Sequence, residues 1–124
     1  MAAGTGRVRA NRAMELFGSS AAFQRRCADM TAYLIVDVDV HDEEAYAEYV
    51  RRVPALVEKH SGTYLVRGGA AENAEGDWQP SRMVVIAFAD TQTARGFLDD
   101  PEYALVKAIR HRVATSRGII VEGV

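Results

Sequence analysis

The chain has 124 residues, of which 48% are hydrophobic and 26% charged, and its formal net charge is −2. This length suits a single domain, and the composition is that of an ordinary globular protein. No apolar run approaches the roughly 18 residues that suggest a transmembrane helix. The slightly acidic balance also argues against a general nucleic-acid binder.

Charge divides the chain into two parts. Residues 1–29 contain five arginines against Glu15 and Asp29, whereas residues 30–124 contain ten basic and fifteen acidic residues. We therefore expect residues 1–29 to be an extension, disordered or partly helical, and residues 30–124 to be the folded domain. A transit peptide and a misplaced start codon are alternatives for the first part. The single cysteine, Cys27, favours a reducing, cytoplasmic setting.

Hydrophobic periodicity predicts the first half of the domain. Residues 31–40 alternate with a period of two, which is typical of a strand. Asp42 then suits the N-cap of an amphipathic helix, and Pro54 is expected to kink or split that helix. A second strand over 63–67 follows the glycine that ends the helix.

The second half of the domain contains two more strands. A nearly continuous apolar strand is predicted over 81–89, after a polar connection. Asp90 and Asp100 are expected to cap two short helices, the second with an apolar stripe that includes Leu105. A final strand is predicted over 118–122.

The order β-α-β-β-α-β, with the second helix broken in two, indicates a ferredoxin-like α+β fold with an antiparallel sheet. Helices then cover one face of the sheet and leave the other open. A unit of about 95 residues has a small core, and its open face would carry Tyr33 and Ile35. We therefore expect a homodimer that pairs sheet against sheet.

A family resemblance covers Met30 to Val124. It is carried, in order, by TAYLIVDVDVHDEEAYAEY, LVRGG, EGDWQPSRMVVIAF, DDPEYALVKAIRHR and VEGV. These segments resemble the uncharacterised family catalogued as domain of unknown function 1330. The resemblance implies a dimeric α/β barrel, in which two ferredoxin-like subunits close their sheets together, but it implies no established reaction.

Two residues are the candidates for catalysis. Asp37 lies mid-strand on a face that a barrel would desolvate, so it could act as a general base or as a hydrogen-bonding anchor. Arg67 precedes two glycines and could bind a substrate anion. The structural alternative for both is an ion pair, with Arg67 pairing with Asp37 or Asp39.

Four further residues are candidates for substrate binding. Tyr33 shares the strand face of Asp37, and Arg82 begins the third strand. Trp78 lies in a turn-rich connection, where packing at an interface or closing a pocket would explain an aromatic side chain. Tyr103 either directs its hydroxyl group into the pocket or caps the start of its helix.

The three histidines, His41, His60 and His111, lack metal-binding spacing, so neither a metal nor a cofactor is expected. His60 is better explained by packing at a helix end than by catalysis. RNA-recognition modules share the strand order, but they expose aromatic and basic residues on the third strand, which here reads MVVIAF. We expect no nucleic-acid partner and no membrane association.

These observations predict a small homodimer that binds a small organic molecule in a barrel pocket, one pocket per subunit, as a cofactor-free oxygenase, isomerase or lyase. A non-catalytic ligand-binding or stress-associated structural dimer is the alternative.

Overall fold

The computed structural model describes residues 31–124, so the predicted extension over residues 1–29 lies outside the described part. Its elements are, in chain order, β1 (Ala32–Val40), α1 (Glu43–Lys59), β2 (Thr63–Arg67), β3 (Met83–Phe88), α2 (Thr91–Leu98), α3 (Pro101–Val113) and β4 (Ala114–Glu122). The four strands lie in the order β2-β3-β1-β4, and all neighbours are antiparallel. This confirms the ferredoxin-like α+β fold. None of the helices in residues 31–124 is long and apolar enough to cross a membrane.

The core lies between the sheet and the helices. Leu34 and Phe88 extend from the sheet and are buried against Phe97 of α2 and Tyr103 of α3. The Phe97 ring lies 5.4 Å from the Phe88 ring and 4.3 Å from the Tyr103 ring, measured between centroids. Aromatic contacts of this kind add about 0.5–1.5 kcal/mol each beyond area burial.

The opposite side of the sheet, which we call the open face, carries an apolar row across all four strands. Val66, Val85, Ile35 and Ile119 are successive partners in the strand register. Ile119 remains 60% exposed. The alternation of β1 places Leu34 and Val38 on the buried face and Ile35, which is half-buried, on the open face.

An aspartate N-cap precedes each of the three helices in the described residues. The side chain of Asp42 accepts from the Ala45 amide at 3.1 Å, and that of Asp90 accepts from the Thr93 amide at 2.7 Å. These contacts satisfy backbone donors that have no partner in the first helical turn. The predicted starts of the helices are thus confirmed.

Pro54 does not split α1, which is continuous from Glu43 to Lys59. The predicted split is therefore wrong. Proline lacks the amide that would bind the carbonyl four residues earlier. That carbonyl, at Val50, instead accepts a hydrogen bond from Nη2 of Arg67 at 3.1 Å. A side chain from β2 thus replaces the missing helical hydrogen bond.

The last strand is longer than the sequence pattern predicted. It begins at Ala114 and not at Gly118, because Ala114 pairs with Val40 and Arg117 pairs with Asp37. The residues between Ala114 and Gly118 are polar, so this segment lacks the alternation of apolar residues that predicts a strand. Pairing with a long neighbouring strand sets the length of β4.

Asp100, at the start of α3, forms ion pairs and hydrogen bonds with residues at the end of α1. Its carboxylate is almost fully buried and accepts from Nζ of Lys59 at 2.9 Å and from Nε2 of His60 at 2.7 Å. The hydrogen bond from His60, followed by that from Lys59, holds the pKa of Asp100 well below its usual range. His60 also lies edge-on to the ring of Phe97. These contacts give His60 a structural role.

Gly62, between α1 and β2, provides a test of core packing. A Cβ atom there would lie 2.8 Å from side-chain carbons of both Phe88 and Val57. We expect Gly62→Ala to lower the free energy of unfolding by about 1–3 kcal/mol, since a dense core does not absorb an extra methyl group. Urea denaturation measures this change. The control is Gly69→Ala, where a Cβ meets nothing within 4 Å, and an equal loss at both positions would contradict the packing.

Candidate functional site

A cavity of about 50 Å³ lies between the sheet and the helices, and we call it the core cavity. Such a volume accommodates several water molecules or a small organic group. Its lining contains eight aliphatic residues, four tyrosines and three arginines: Leu34, Val36, Val38, Val50, Val53, Val84, Ile86 and Leu98; Tyr46, Tyr49, Tyr64 and Tyr103; and Arg67, Arg82 and Arg110.

The tyrosines supply phenol groups to an otherwise apolar space. The hydroxyl oxygens of Tyr49 and Tyr103 lie 3.0 Å apart, and the Tyr46 ring stacks on the Tyr49 ring at 5.4 Å between centroids. Burial raises the pKa values of Tyr46, Tyr49 and Tyr64 above their ordinary value. These phenols therefore stay neutral at physiological pH and retain protons to donate.

Arg110 carries a guanidinium group into the core. The residue is 8% exposed. Its Nη1 contacts Oγ of Ser116, and its Nη2 donates to the Tyr103 hydroxyl at 3.4 Å. Nε is buried and has no hydrogen-bond partner among the described residues. Among residues 31–124, the hydrogen-bond partners of Arg110 are therefore neutral groups.

Arg82, just before β3, reaches the same cavity. Gly68 has φ +78°, which suits glycine, and a Cβ atom there would overlap the Arg82 guanidinium. That guanidinium lies 5.7 Å from the centroid of the Tyr46 ring. Nε of Arg82 is also buried without a partner in residues 31–124. Gly68 thus provides the space in which Arg82 faces the cavity.

Arg67 completes the set of cationic residues. Its guanidinium lies 4.7 Å from the centroid of the Tyr64 ring, and it also binds the Val50 carbonyl. The residue is exposed, unlike Arg110, so it lies on the solvent side of the cavity.

The core cavity has an excess of positive charge. No acidic side chain lines it, as far as the described residues go. The ion pairs within residues 31–124 are Arg52–Glu48, Lys59–Asp100, Lys59–Glu102 and His60–Asp100, and none includes a cavity arginine. Positive charge in a partly desolvated space attracts anions more strongly than on the surface.

Three of the six candidate residues from the sequence meet in this cavity: Arg67, Arg82 and Tyr103. Asp37 and Tyr33 lie on the open face, at register positions opposite Met83 and Ala87 respectively. The predicted alternative that Arg67 pairs with Asp37 or Asp39 is wrong, because Arg67 lies on the helical side of the sheet.

A bulge in β2 accounts for the position of Arg67. Tyr64 pairs with Ile86, but Val66 pairs with Val85, so the register shifts between Tyr64 and Val66. The extra residue reverses the alternation after it. Arg67 consequently shares the helical face with Tyr64, whereas strict alternation would place the two on opposite faces.

Asp37 of β1 accepts two hydrogen bonds from the segment that precedes β3. One carboxylate oxygen accepts from Nε1 of Trp78 at 3.2 Å, and the other accepts from the Ser81 amide at 3.0 Å. The Trp78 ring also lies 5.8 Å from the guanidinium carbon of Arg117, and Trp78 is 49% exposed. Asp37 and Trp78 therefore form a cluster separate from the core cavity.

Four of the tyrosines and arginines that line the cavity were not candidates from the sequence: Tyr46, Tyr49, Tyr64 and Arg110. Arg110 lies in the last turn of α3, where a cation also suits the helix dipole. Its position in the sequence could have indicated burial, because Arg110 follows Val106 by four residues and Tyr103 by seven, and these spacings place all three on one helical face. Leu105, which was predicted on the apolar stripe, is instead 70% exposed.

Residues 31–124 contain no group of three or more histidine, cysteine or acidic side chains placed to hold a metal ion.

The fold and the cavity define a ferredoxin-like α+β domain with a polar-aromatic space between sheet and helices. The model of the family described as "Domain of unknown function (DUF1330)" matches residues 31–124, and the chain belongs to this family. A search among curated proteins found no match.

Two solved structures are similar in fold. The RPA0582 protein of unknown function from Rhodopseudomonas palustris is 18% identical, with a TM-score of 0.64, over 86% of this chain and 94% of that one. SnoaB, a cofactor-independent oxygenase from Streptomyces nogalater, is 14% identical, with a TM-score of 0.54, over 77% of this chain and 94% of that one. At these identities the similarity concerns the fold alone.

Trp78 is the only tryptophan, so its fluorescence reports directly on the Asp37 contact. We expect Asp37→Ala to shift its emission to longer wavelength and to lower its anisotropy, because the indole loses its hydrogen-bond acceptor. Asp39→Ala, on the same strand but exposed, is the matched control. Identical spectra for Asp37→Ala and the unmodified protein would show that Asp37 does not hold Trp78.

Proposed function

We propose that the chain binds a small organic molecule in the core cavity. The observation that carries this proposal is the convergence of tyrosine and arginine side chains on a space otherwise lined by aliphatic residues. Small-molecule sites typically combine apolar walls with a few polar groups that fix orientation. The cavity is built within one chain, from the sheet and the helices that cover it.

Catalysis on that molecule is the second candidate function, as a cofactor-free oxygenase, isomerase or lyase. It is favoured by the hydrogen-bonded hydroxyls of Tyr49 and Tyr103 next to Arg110. A neutral phenol supplies a proton, and a fixed guanidinium stabilises oxyanion character as it develops. SnoaB, which shares the fold, is named as a cofactor-independent oxygenase. Binding without turnover would favour the non-catalytic alternative.

The role of Asp37 as a general base stays a prediction. Its carboxylate is bound to Trp78 and Ser81 on the open face. A base at this position would act on a molecule held between two sheets, and not on one in the core cavity. Asp37→Asn distinguishes the two sites, since ligand affinity at the core cavity is expected to stay unchanged.

We also propose a homodimer formed through the open face. Its support is the apolar row of Val66, Val85, Ile35 and Ile119, which crosses the whole sheet. A small domain gains stability by covering such a row, and a twofold pairing is the commonest arrangement.

Filling the core cavity tests the binding proposal. Val84 lines the cavity from β3, and we expect Val84→Phe to abolish the thermal shift produced by any hit from a panel of small aromatic and aliphatic acids, amides and alcohols. Leu105→Phe makes the same kind of enlargement on the exposed side of α3 and should keep the shift. If the hits bind Val84→Phe and Leu105→Phe equally, the cavity is not the site.

Charge on the open face tests the dimer. We expect Ile119→Asp to convert the dimer to a monomer at micromolar concentration, because two carboxylates would be buried in the interface. Sedimentation velocity measures the change. Leu105→Asp, on the helical layer, should leave the dimer intact, and a protein that sediments as a monomer before any substitution would refute the interface.

A further inference from the structure

We propose that the ligand of the core cavity is a small organic acid whose carboxylate binds Arg110 and Arg82. This inference rests on the proposed function and specifies the class of molecule bound. It follows from the charge of the cavity and from two donor groups that no described residue satisfies.

Arg110 provides the first support. A buried charge is costly unless it is paired. Here the nearest polar contacts are the hydroxyls of Ser116 and Tyr103, both neutral, and the Nε donor has no partner in the described range. A carboxylate in the cavity would neutralise the guanidinium and accept from Nε. Charge-assisted hydrogen bonds of this kind are about twice as strong as neutral ones.

Arg82 provides independent support from another element. It precedes β3, whereas Arg110 belongs to α3, yet both arginines are among the residues that line the cavity. Nε of Arg82 is likewise buried without a partner in residues 31–124. Two cationic donors from separate elements, both left with a free N–H, fit one anion with two oxygen atoms.

No internal carboxylate fills this role within the described chain. Asp100 is bound to Lys59 and His60, and Asp37 is bound to Trp78 and Ser81 on the open face. Because the described residues supply no carboxylate to the cavity, we assign this anion to a ligand.

The aliphatic lining favours an organic acid over an inorganic anion. Eight of the fifteen lining residues are valine, leucine or isoleucine. Sulfate or phosphate would place strongly hydrated oxygens against these side chains, whereas an organic acid covers them with its apolar part.

The inference is tested on the full chain by comparing the affinities of carboxylic acids with those of their uncharged amides. Titration calorimetry would compare monocarboxylates from propionate to benzoate with their primary amides, and with sulfate and phosphate as inorganic probes. We expect at least one acid to bind about tenfold or more tightly than its amide, and we expect weaker binding at higher salt. Equal affinity for acid and amide, or sulfate binding as tight as the best acid, would overturn the assignment.

Substitution of the arginines locates the carboxylate. We expect Arg110→Met and Arg82→Met each to lower the affinity for the acid about tenfold or more, and to leave that for the amide nearly unchanged. Arg112→Met, on the exposed side of the same helix as Arg110, is the matched control. Because Arg110→Met removes buried contacts, its fold is checked by urea denaturation, and Arg82→Met gives a second measurement at the same site.

The outcomes separate this inference from the proposed function. If amides bind as well as acids and Val84→Phe blocks both, the cavity is a site but not for carboxylates. If no compound in the panel binds, the proposed function and the inference fail together. If the acid binds with the same affinity to Arg82→Met, Arg110→Met and Arg112→Met, its carboxylate does not contact Arg82 or Arg110.

Discussion

A guanidinium group buried without a carboxylate determines how the centre of this domain is built. Arg110 extends from α3 into the core, where its hydrogen-bond partners in the described part of the chain are neutral hydroxyls. Solvation by Tyr103 and Ser116 offsets part of the cost of burying its charge. The Tyr103 hydroxyl in turn lies against that of Tyr49, which connects α3 with α1. Arg110 and the two tyrosines that follow from it thus link α1 and α3 through polar groups inside the core.

The two faces of the sheet have different chemistry. The helical face carries the cavity with its phenols and guanidiniums, whereas the open face carries an apolar row and the cluster of Asp37 and Trp78. Because side chains alternate along each strand, a single strand such as β1 contributes to both faces. A ligand site and a surface for a second copy can thus occupy one small sheet without competing for the same residues.

Departures from regular structure shape the cavity as much as the regular elements do. Pro54 frees the Val50 carbonyl, and the bulge in β2 turns Arg67 towards it. Gly68, with its positive φ, leaves room for Arg82. Pro54 and the bulge thus position Arg67, and Gly68 positions Arg82, two of the three arginines that line the cavity.

The sequence by itself determined the order of elements, the aspartate caps and the ferredoxin-like fold, because local periodicity and capping chemistry are written in neighbouring residues. It also marked Arg67, Arg82 and Tyr103 as candidate site residues. Only the tertiary structure decided that Arg67 lies away from Asp37, since a bulge depends on pairing with β3. The packing of the helices on the sheet likewise decided that Arg110 is buried against Tyr103 and Ser116. A helical pattern shows which residues share a face, but it does not show which residues of other elements that face contacts.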